Sequence, residues 1–254
     1  MTIPTGRFVW FDYVAKDIAK AQGYFGELFN WKTQEVPAPG GSYSMIAIGD
    51  QTIGGYTPTP KGAPETAHWL ASLQVADANA TAKQVKALGG KVLKDPDKMG
   101  DFGTFAIVAD PLGGVFSLWQ PVQAQGSGDF KELVGSFCWN ELYTTDPEAS
   151  IAFYSKLAGF TEEKMQMGDS TYHILNFDGK GRAGVTKPPA PMPQAWMPYV
   201  HVASTDQTIA KAKKLGSNVH VAGEDIPNVG RIGIFSDPQG GMLGVLQPSP
   251  TMTK

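Results

Sequence analysis

From the start of the sequence, short apolar runs alternate with segments whose apolar residues recur at helical spacing. Residues 8–14 form a nearly continuous apolar and aromatic run, which predicts a strand that is covered on both faces. Asp17 then offers an N-cap, and the apolar residues after it recur at helical spacing as far as Phe29. Residues 42–48 and 51–56 predict two further strands with a Gly-Asp turn between them.

The pattern then starts again with another strand and helix. A strand is predicted at residues 69–75 and a helix at 77–88, which Gly89 and Gly90 would end. Strands at residues 104–109 and 114–120 flank an Asp-Pro-Leu-Gly turn. This pattern predicts an α+β fold built from βαβββ modules, with helices on the convex face of a curved mixed sheet.

The second half of the sequence repeats the first. Matching residues lie 129 positions apart early in the repeat and 127 apart later. The pairs are Gly6 and Gly135, Trp10 and Trp139, Asp12 and Glu141, Tyr43 and Tyr172, Gly55 and Gly184, and Trp69 and Trp196. We therefore predict two domains of two modules each, a first copy at residues 1–122 and a second copy at 133–250, joined by a Gly/Ser-containing linker at 123–132.

Composition narrows the class of function. The net charge is −3 and the lysines form no basic run, so a nucleic-acid partner is not expected. Neither a membrane-spanning run nor a secretory signal is visible, which favours a cytoplasmic protein with no membrane partner. Cys138 is the only cysteine, and this excludes an internal disulfide.

Two motifs give the chain a family resemblance. The first helix and its cap read Asp-x-x-x-Ala-x-x-Tyr-Phe in the first copy and Asp-x-x-x-Ser-x-x-Phe-Tyr in the second, and Asp-Pro-x-Gly-Gly precedes the last strand of both copies. This combination resembles the vicinal-oxygen-chelate superfamily, which includes glyoxalases, bleomycin-resistance proteins and extradiol dioxygenases. Residues 139–149 narrow the resemblance to its two-domain glyoxalase-like branch. The resemblance covers most of the chain, but it implies a fold more strongly than a reaction.

The resemblance also implies where metal ligands should lie. The family places His or Gln on the first strand, His on the middle strand and Glu on the last strand. The corresponding positions here are Trp10, Leu70 and Ser117 in the first copy, and Trp139, Met197 and Gly244 in the second. None is an ordinary ligand of a divalent cation, so we expect no cofactor at that place, although a displaced divalent metal site stays open.

Strand alternation predicts what faces the cavity instead. Asp12 and Glu141 each interrupt an apolar strand and are candidate catalytic residues, with His201 as a third. Each carboxylate could also be a structural hydrogen-bonding group or a ligand of a displaced metal. The candidate ligand-binding residues are mostly aromatic or small and polar: Trp10, Tyr43, Ser72, Ser117, Trp119, Trp139, Tyr172, Met197 and Tyr199. His68 and His173 are expected at the surface or at an interface.

Three functions are compatible with this pattern. The first is a small-molecule site without the family metal, either purely binding or running acid–base chemistry through Asp12 or Glu141. The second is a metal-dependent lyase or isomerase of the glyoxalase type with non-standard ligands such as Glu141 and His201. The third, a ring-cleaving dioxygenase, needs two histidines and a carboxylate that the family positions lack. The expected partner is a small molecule, and a monomer or a homodimer is compatible with the duplication.

Overall fold

The computed structural model describes residues 5–38, 41–63, 65–123, 133–168, 170–188 and 192–249. The elements of the first copy are β1 (Arg7–Ala15), α1 (Ile18–Phe29), β2 (Lys32–Ala38), β3 (Gly41–Ile48), β4 (Gln51–Pro58), β5 (His68–Gln74), α2 (Ala78–Ala87), β6 (Lys91–Met99), β7 (Gly103–Ala109) and β8 (Val115–Pro121). The predicted linker lies almost wholly outside the described residues.

The second copy repeats this order element by element. Its elements are β9 (Phe137–Tyr143), α3 (Pro147–Ala158), β10 (Thr161–Met167), β11 (Ser170–Phe177), β12 (Lys180–Thr186), β13 (Ala195–His201), α4 (Thr205–Lys214), β14 (Asn218–Ile226), β15 (Gly230–Ser236) and β16 (Met242–Pro248). Four βαβββ modules follow one another along the chain, which confirms the predicted α+β class.

Each copy forms one eight-stranded mixed sheet. The strand order is β2-β3-β4-β1-β5-β8-β7-β6 in the first sheet and β10-β11-β12-β9-β13-β16-β15-β14 in the second. The pairs β1/β4, β5/β8, β9/β12 and β13/β16 are parallel, and the hairpin pairs in each module are antiparallel. The first strand of each module therefore pairs with the last strand of the same module.

Side-chain caps explain where the helices begin. The side chains of Asp17, Asp77, Asp146 and Ser204 each accept a hydrogen bond from the backbone N–H three residues later, as predicted for Asp17. Helix α3 adds a proline in its first turn and ends at Gly159, which has a left-handed backbone with φ 73°. No helix in the described part of the chain is long and apolar enough to cross a membrane.

Strands β2 and β6, at the ends of the first sheet, and β10, at one end of the second, were not located from the sequence. Strand β2 is mostly exposed and β6 carries five charged side chains, so neither has the apolar run or the alternation that marks a strand with a buried face. Charged, exposed strands at a sheet edge oppose pairing with other chains. The missed strands are therefore those whose sequence reflects an edge position.

The chain divides into two compact units that do not coincide with the two copies. Unit 1 contains Met1–Trp10, Leu70–Asp129 and Trp139–Trp196, and unit 2 contains Phe11–Trp69, Phe130–Cys138 and Met197–Lys254. Each unit thus combines most of one module from each copy. Helices α2 and α3 belong to unit 1, and α1 and α4 to unit 2.

The core of unit 1 contains a buried polar chain. The Trp196 indole donates to the Tyr154 hydroxyl at 2.9 Å, and this hydroxyl donates to an Asp110 carboxylate oxygen at 2.8 Å. Backbone N–H groups of Leu112 and Gly114 donate to the other Asp110 oxygen. Asp110 belongs to the Asp-Pro-x-Gly-Gly motif, so the motif fixes its own turn and anchors helix α3.

The core of unit 2 also contains a hydrogen bond to the aspartate of its Asp-Pro-x-Gly-Gly motif. Its motif aspartate, Asp237, accepts a hydrogen bond from the Tyr13 hydroxyl at 2.5 Å. Tyr13 lies on β1 and packs edge-to-face against Phe25 and Trp69. The ring centroids of Trp69 and Phe137 are also 5.3 Å apart, so the core of this unit is an aromatic cluster.

Candidate functional site

In unit 1, Glu141 and Tyr172 form a hydrogen-bonded pair across three strands. Glu141 lies on β9, and Tyr172 on β11 donates its hydroxyl hydrogen to the Glu141 carboxylate at 2.8 Å. The Trp139 indole N–H donates to the same hydroxyl oxygen at 2.8 Å. Gly184 on β12 lies between them in register, opposite Glu141. A Cβ atom at Gly184 would overlap the Tyr172 hydroxyl, so only glycine lets the ring cross this strand.

In unit 2, Asp12 and Tyr43 form the same arrangement. The Tyr43 hydroxyl on β3 donates to Asp12 on β1, and Thr57 Oγ1 lies 3.3 Å from the same carboxylate oxygen. Gly55 on β4 pairs in register with Asp12, and a Cβ atom there would overlap the Tyr43 hydroxyl. We call each of these two arrangements a carboxylate–tyrosine pair.

Exposure distinguishes the two pairs. Glu141 is only 7% exposed, whereas Asp12 is half-buried. Burial, followed by the nearby charge of Glu141, raises the pKa of Tyr172 well above its usual range. Tyr172 therefore keeps its proton at neutral pH and acts as a fixed donor to the carboxylate. Of the two carboxylates, Asp12 is the more accessible one, and it can accept a hydrogen bond from a ligand or take up a proton.

The predicted serine and tryptophan residues of the first copy lie together on the β5 and β8 strands of unit 1. Ser72 and Ser117 are direct register partners, 5% and 4% exposed. Trp119 is half-buried, and its ring lies across Gly103, where a Cβ atom would come within 2.8 Å of it. Two hydroxyl groups and an aromatic ring therefore line this part of the sheet.

The corresponding strands of the second copy, in unit 2, present an aromatic ring instead. Tyr199 is the register partner of Gly244, and a Cβ atom at Gly244 would come within 2.6 Å of the Tyr199 ring. Met197 and Tyr199 are 2% and 4% exposed. His201 is half-buried, and its backbone N–H donates to the Ser136 carbonyl at 2.8 Å. Tyr199 and Gly244 thus stand where the first copy has Ser72 and Ser117.

The side chains at the six family ligand positions are poor metal donors. Of these, Trp10, Trp139 and Leu70 are half-buried, Met197 is buried, and Gly244 has no side chain. Only Ser117 offers an oxygen atom, and its hydroxyl lies 3.3 Å from the Leu118 carbonyl. This donor set does not fit a divalent cation with three or more protein ligands.

A different group of side chains in unit 1 has the composition of a metal site. One ligand atom each from Glu148, Glu162 and His173 lies within 4.8 Å of the others. His173 Nδ1 is 2.6 Å from the Glu162 carboxylate, and the Lys164 ammonium is 3.4 and 3.5 Å from Glu148 and Glu162. These residues could hold a cation, but Lys164 already supplies a positive charge between the carboxylates. His173 was expected at the surface or at an interface, and the surface alternative is wrong, because the side chain is 7% exposed.

The sequence matches the family model of the Glyoxalase/Bleomycin resistance protein/Dioxygenase superfamily at residues 7–117 and 136–245. The two matches cover most of the chain. The chain belongs to this superfamily.

Two curated proteins resemble this chain over almost its full length. CFP32 of Mycobacterium tuberculosis, which is provisionally named a glyoxylase, is 34% identical over 247 residues, covering 95% of this chain and 94% of the relative. The anthracycline biosynthesis protein DauV of a Streptomyces species is 27% identical over 259 residues, covering 95% and 93%.

Solved structures of the superfamily share the fold at low identity. The Mn(II)-bound glyoxalase from Novosphingobium aromaticivorans has a TM-score of 0.67 at 14% identity and covers 96% of this chain and 82% of its own. The 2,3-dioxygenase LapB from Pseudomonas has a TM-score of 0.67 at 12% identity, with 98% and 96% covered. At these identities the likeness shows the fold alone.

The glycines of the two pairs belong to the candidate site, and the sequence reasoning did not single them out for it. Gly55 and Gly184 match in the internal repeat, and the tyrosines Tyr43 and Tyr172 match at the same spacing. That shared spacing was the available signal, because a glycine inside a strand marks a close approach of another group. Thr57, the second hydroxyl group at Asp12, was also missed.

Proposed function

We propose that this protein binds a small hydroxylated aromatic molecule at the Asp12–Tyr43 pair, without a metal ion at the family ligand positions. The supporting observation is that both carboxylate–tyrosine pairs are built alike, but only the Asp12 carboxylate is exposed enough for a ligand to reach. The Glu141–Tyr172 pair then serves mainly to hold its sheet together.

The chemistry of the pair sets the class of ligand. Tyr43 directs its hydroxyl hydrogen at the carboxylate, so the group offered to a ligand is a carboxylate acceptor. An acceptor binds a donor such as a phenolic hydroxyl group. Tyr43 itself places an aromatic ring beside this carboxylate. A flat aromatic ligand with a hydroxyl group meets both requirements.

The name of one relative supports this class of ligand. DauV is named for anthracycline biosynthesis, and anthracyclines contain a hydroxylated anthraquinone. Asp12 could also accept the proton of such a hydroxyl group, which would make the site a general base. Binding comes first in either case, so the test addresses binding.

The test is tryptophan-fluorescence titration of the full chain with a hydroxyanthraquinone and with its O-methyl ether. The hydroxylated probe should bind at least about tenfold more tightly, because a hydrogen bond to a charged group contributes about 1.5–3 kcal/mol. Asp12→Asn should remove that preference. Glu141→Gln should keep it, and Glu224→Gln, an exposed carboxylate of β14, serves as the matched control.

Elemental analysis of dialysed protein tests the absence of the metal. Stoichiometric manganese, iron, nickel or zinc that is lost in Glu141→Gln would contradict the proposal and favour a metal-dependent lyase or isomerase. Equal binding of both probes would contradict the role of Asp12.

A further inference from the structure

A cleft on the helix side of unit 1 has no open counterpart in unit 2. It lies between α3, the end of α2 and the Asp-Pro-Leu-Gly turn, and has a volume of about 180 Å³. Its main lining residues are Leu88, Pro111, Leu112, Ala149, Phe153 and Lys156. This cleft is built without any residue of the carboxylate–tyrosine pairs.

The equivalent place in unit 2 lies between α1 and the Asp-Pro-Gln-Gly turn and has a volume of only about 10 Å³. Gln239 closes it. The Gln239 side chain donates to the Asp17 carbonyl at 2.9 Å and accepts from the Asp17 backbone N–H at 3.2 Å. The turn and the start of α1 are thus joined by two hydrogen bonds.

Two differences between the copies open the cleft in unit 1. The repeat places Leu112 where the second copy has Gln239, and leucine cannot form the two hydrogen bonds. It also places Ala149 where the first copy has Lys20, a side chain that lines the closed site. The consequence is visible at Leu112, whose side chain is left 41% exposed above the cleft.

The charge of the cleft differs as well. Lys156 stands on α3 where the first copy has Glu27 on α1. The other charged residue of the lining is Asp110, whose oxygens accept hydrogen bonds from the Tyr154 hydroxyl, the Gln194 amide and two backbone N–H groups. The donors around Asp110 satisfy its carboxylate, and this leaves the Lys156 ammonium as the group that can bind a ligand's charge.

We propose that this cleft binds a small organic monocarboxylate with a single ring. The apolar lining suits the ring, and Lys156 suits the carboxylate. A cavity of about 150 Å³ is known to hold one benzene molecule, so a cleft of this size takes about one ring. The proposal is independent of the site at Asp12.

Phenylacetate is the probe that tests the proposal, read by NMR of ¹³C-methyl-labelled leucine and alanine in the full chain. Saturable shifts of the Leu88, Leu112, Ala149 and Ala152 methyl groups are expected. Phenylacetamide has the same shape without the charge and should bind about three- to fivefold more weakly, as should phenylacetate to Lys156→Glu.

A double substitution in unit 1 that copies the residues of unit 2 serves as the matched variant. Leu112→Gln with Ala149→Lys installs the residues that close the equivalent place, so the Leu88 and Ala152 methyl groups should no longer shift. Unchanged methyl signals elsewhere would show that this variant is folded.

Four results would overturn the proposal. They are no methyl shift at millimolar phenylacetate, equal binding of phenylacetamide, shifts that persist in the closed variant, and shifts that follow protein concentration without probe. The last result would indicate that a second copy of the chain occupies the cleft.

Discussion

Replacing Tyr172 by phenylalanine removes one hydroxyl group that makes two hydrogen bonds. The Glu141 carboxylate loses a donor at 2.8 Å, and the Trp139 indole loses its acceptor at 2.8 Å. A hydrogen bond to a charged group contributes about 1.5–3 kcal/mol and a neutral one about 0.5–1.5 kcal/mol. We therefore expect the free energy of unfolding to fall by about 2–4 kcal/mol, which for a chain of this length lowers Tm by about 5–15 °C.

Urea denaturation followed by tryptophan fluorescence measures this loss, and a double-mutant cycle with Glu141→Gln isolates the bond between the two side chains. Tyr43→Phe is the matched variant in unit 2. Tyr43→Phe should lower the free energy of unfolding by less than Tyr172→Phe, because Asp12 is half-buried and Thr57 lies beside the same oxygen. A loss below about 0.5 kcal/mol in Tyr172→Phe, or no coupling to Glu141, would refute the reasoning.

Three further predictions concern single residues. Gly184→Ala should lower stability by about 1–3 kcal/mol because its Cβ displaces Tyr172, whereas Gly23→Ala on helix α1, where nothing lies within 4 Å, should raise it by about 0.5–1 kcal/mol in the same urea assay. Burial raises the pKa of Cys138 to about 12, so its alkylation by iodoacetamide at pH 8 should be about a thousandfold slower than that of an ordinary thiol. Burial also raises the pKa of Asp237, so the folded chain holds this proton more tightly than the unfolded chain. Its contribution to stability is therefore full at low pH and is lost as pH rises through the raised value, and Asp237→Asn should flatten the pH dependence of the urea midpoint above about pH 4.

Much of the fold could be predicted because the sequence contains two versions of it. The matching helix caps and Asp-Pro-x-Gly-Gly turns predicted the order of helices and strands in both copies. Strand alternation then placed Asp12 and Glu141 as polar residues within apolar strands, and the repeat matched Tyr43 with Tyr172.

The hydrogen bonds of the site could not be predicted in the same way. Strand alternation predicts on which face of the sheet a side chain lies, but not which residues of other strands it contacts. That Tyr172 crosses Gly184 to contact Glu141 depends on the register of three strands. His173 was misplaced for a related reason. Its burial comes from β10, where Glu162 and Lys164 lie, and that strand was not located from the sequence.

The division into compact units has a consequence for synthesis on the ribosome. Unit 1 draws on segments from both copies and lacks β12 and the start of β13 until Trp196 has been made. Unit 2 begins at Phe11 but waits for the segment from Met197 onward. A nascent first copy would therefore emerge with neither unit complete, and folding of both would be deferred to late translation. Such a nascent chain exposes apolar helix faces until the segments that cover them have been made, so chaperones would protect it from aggregation.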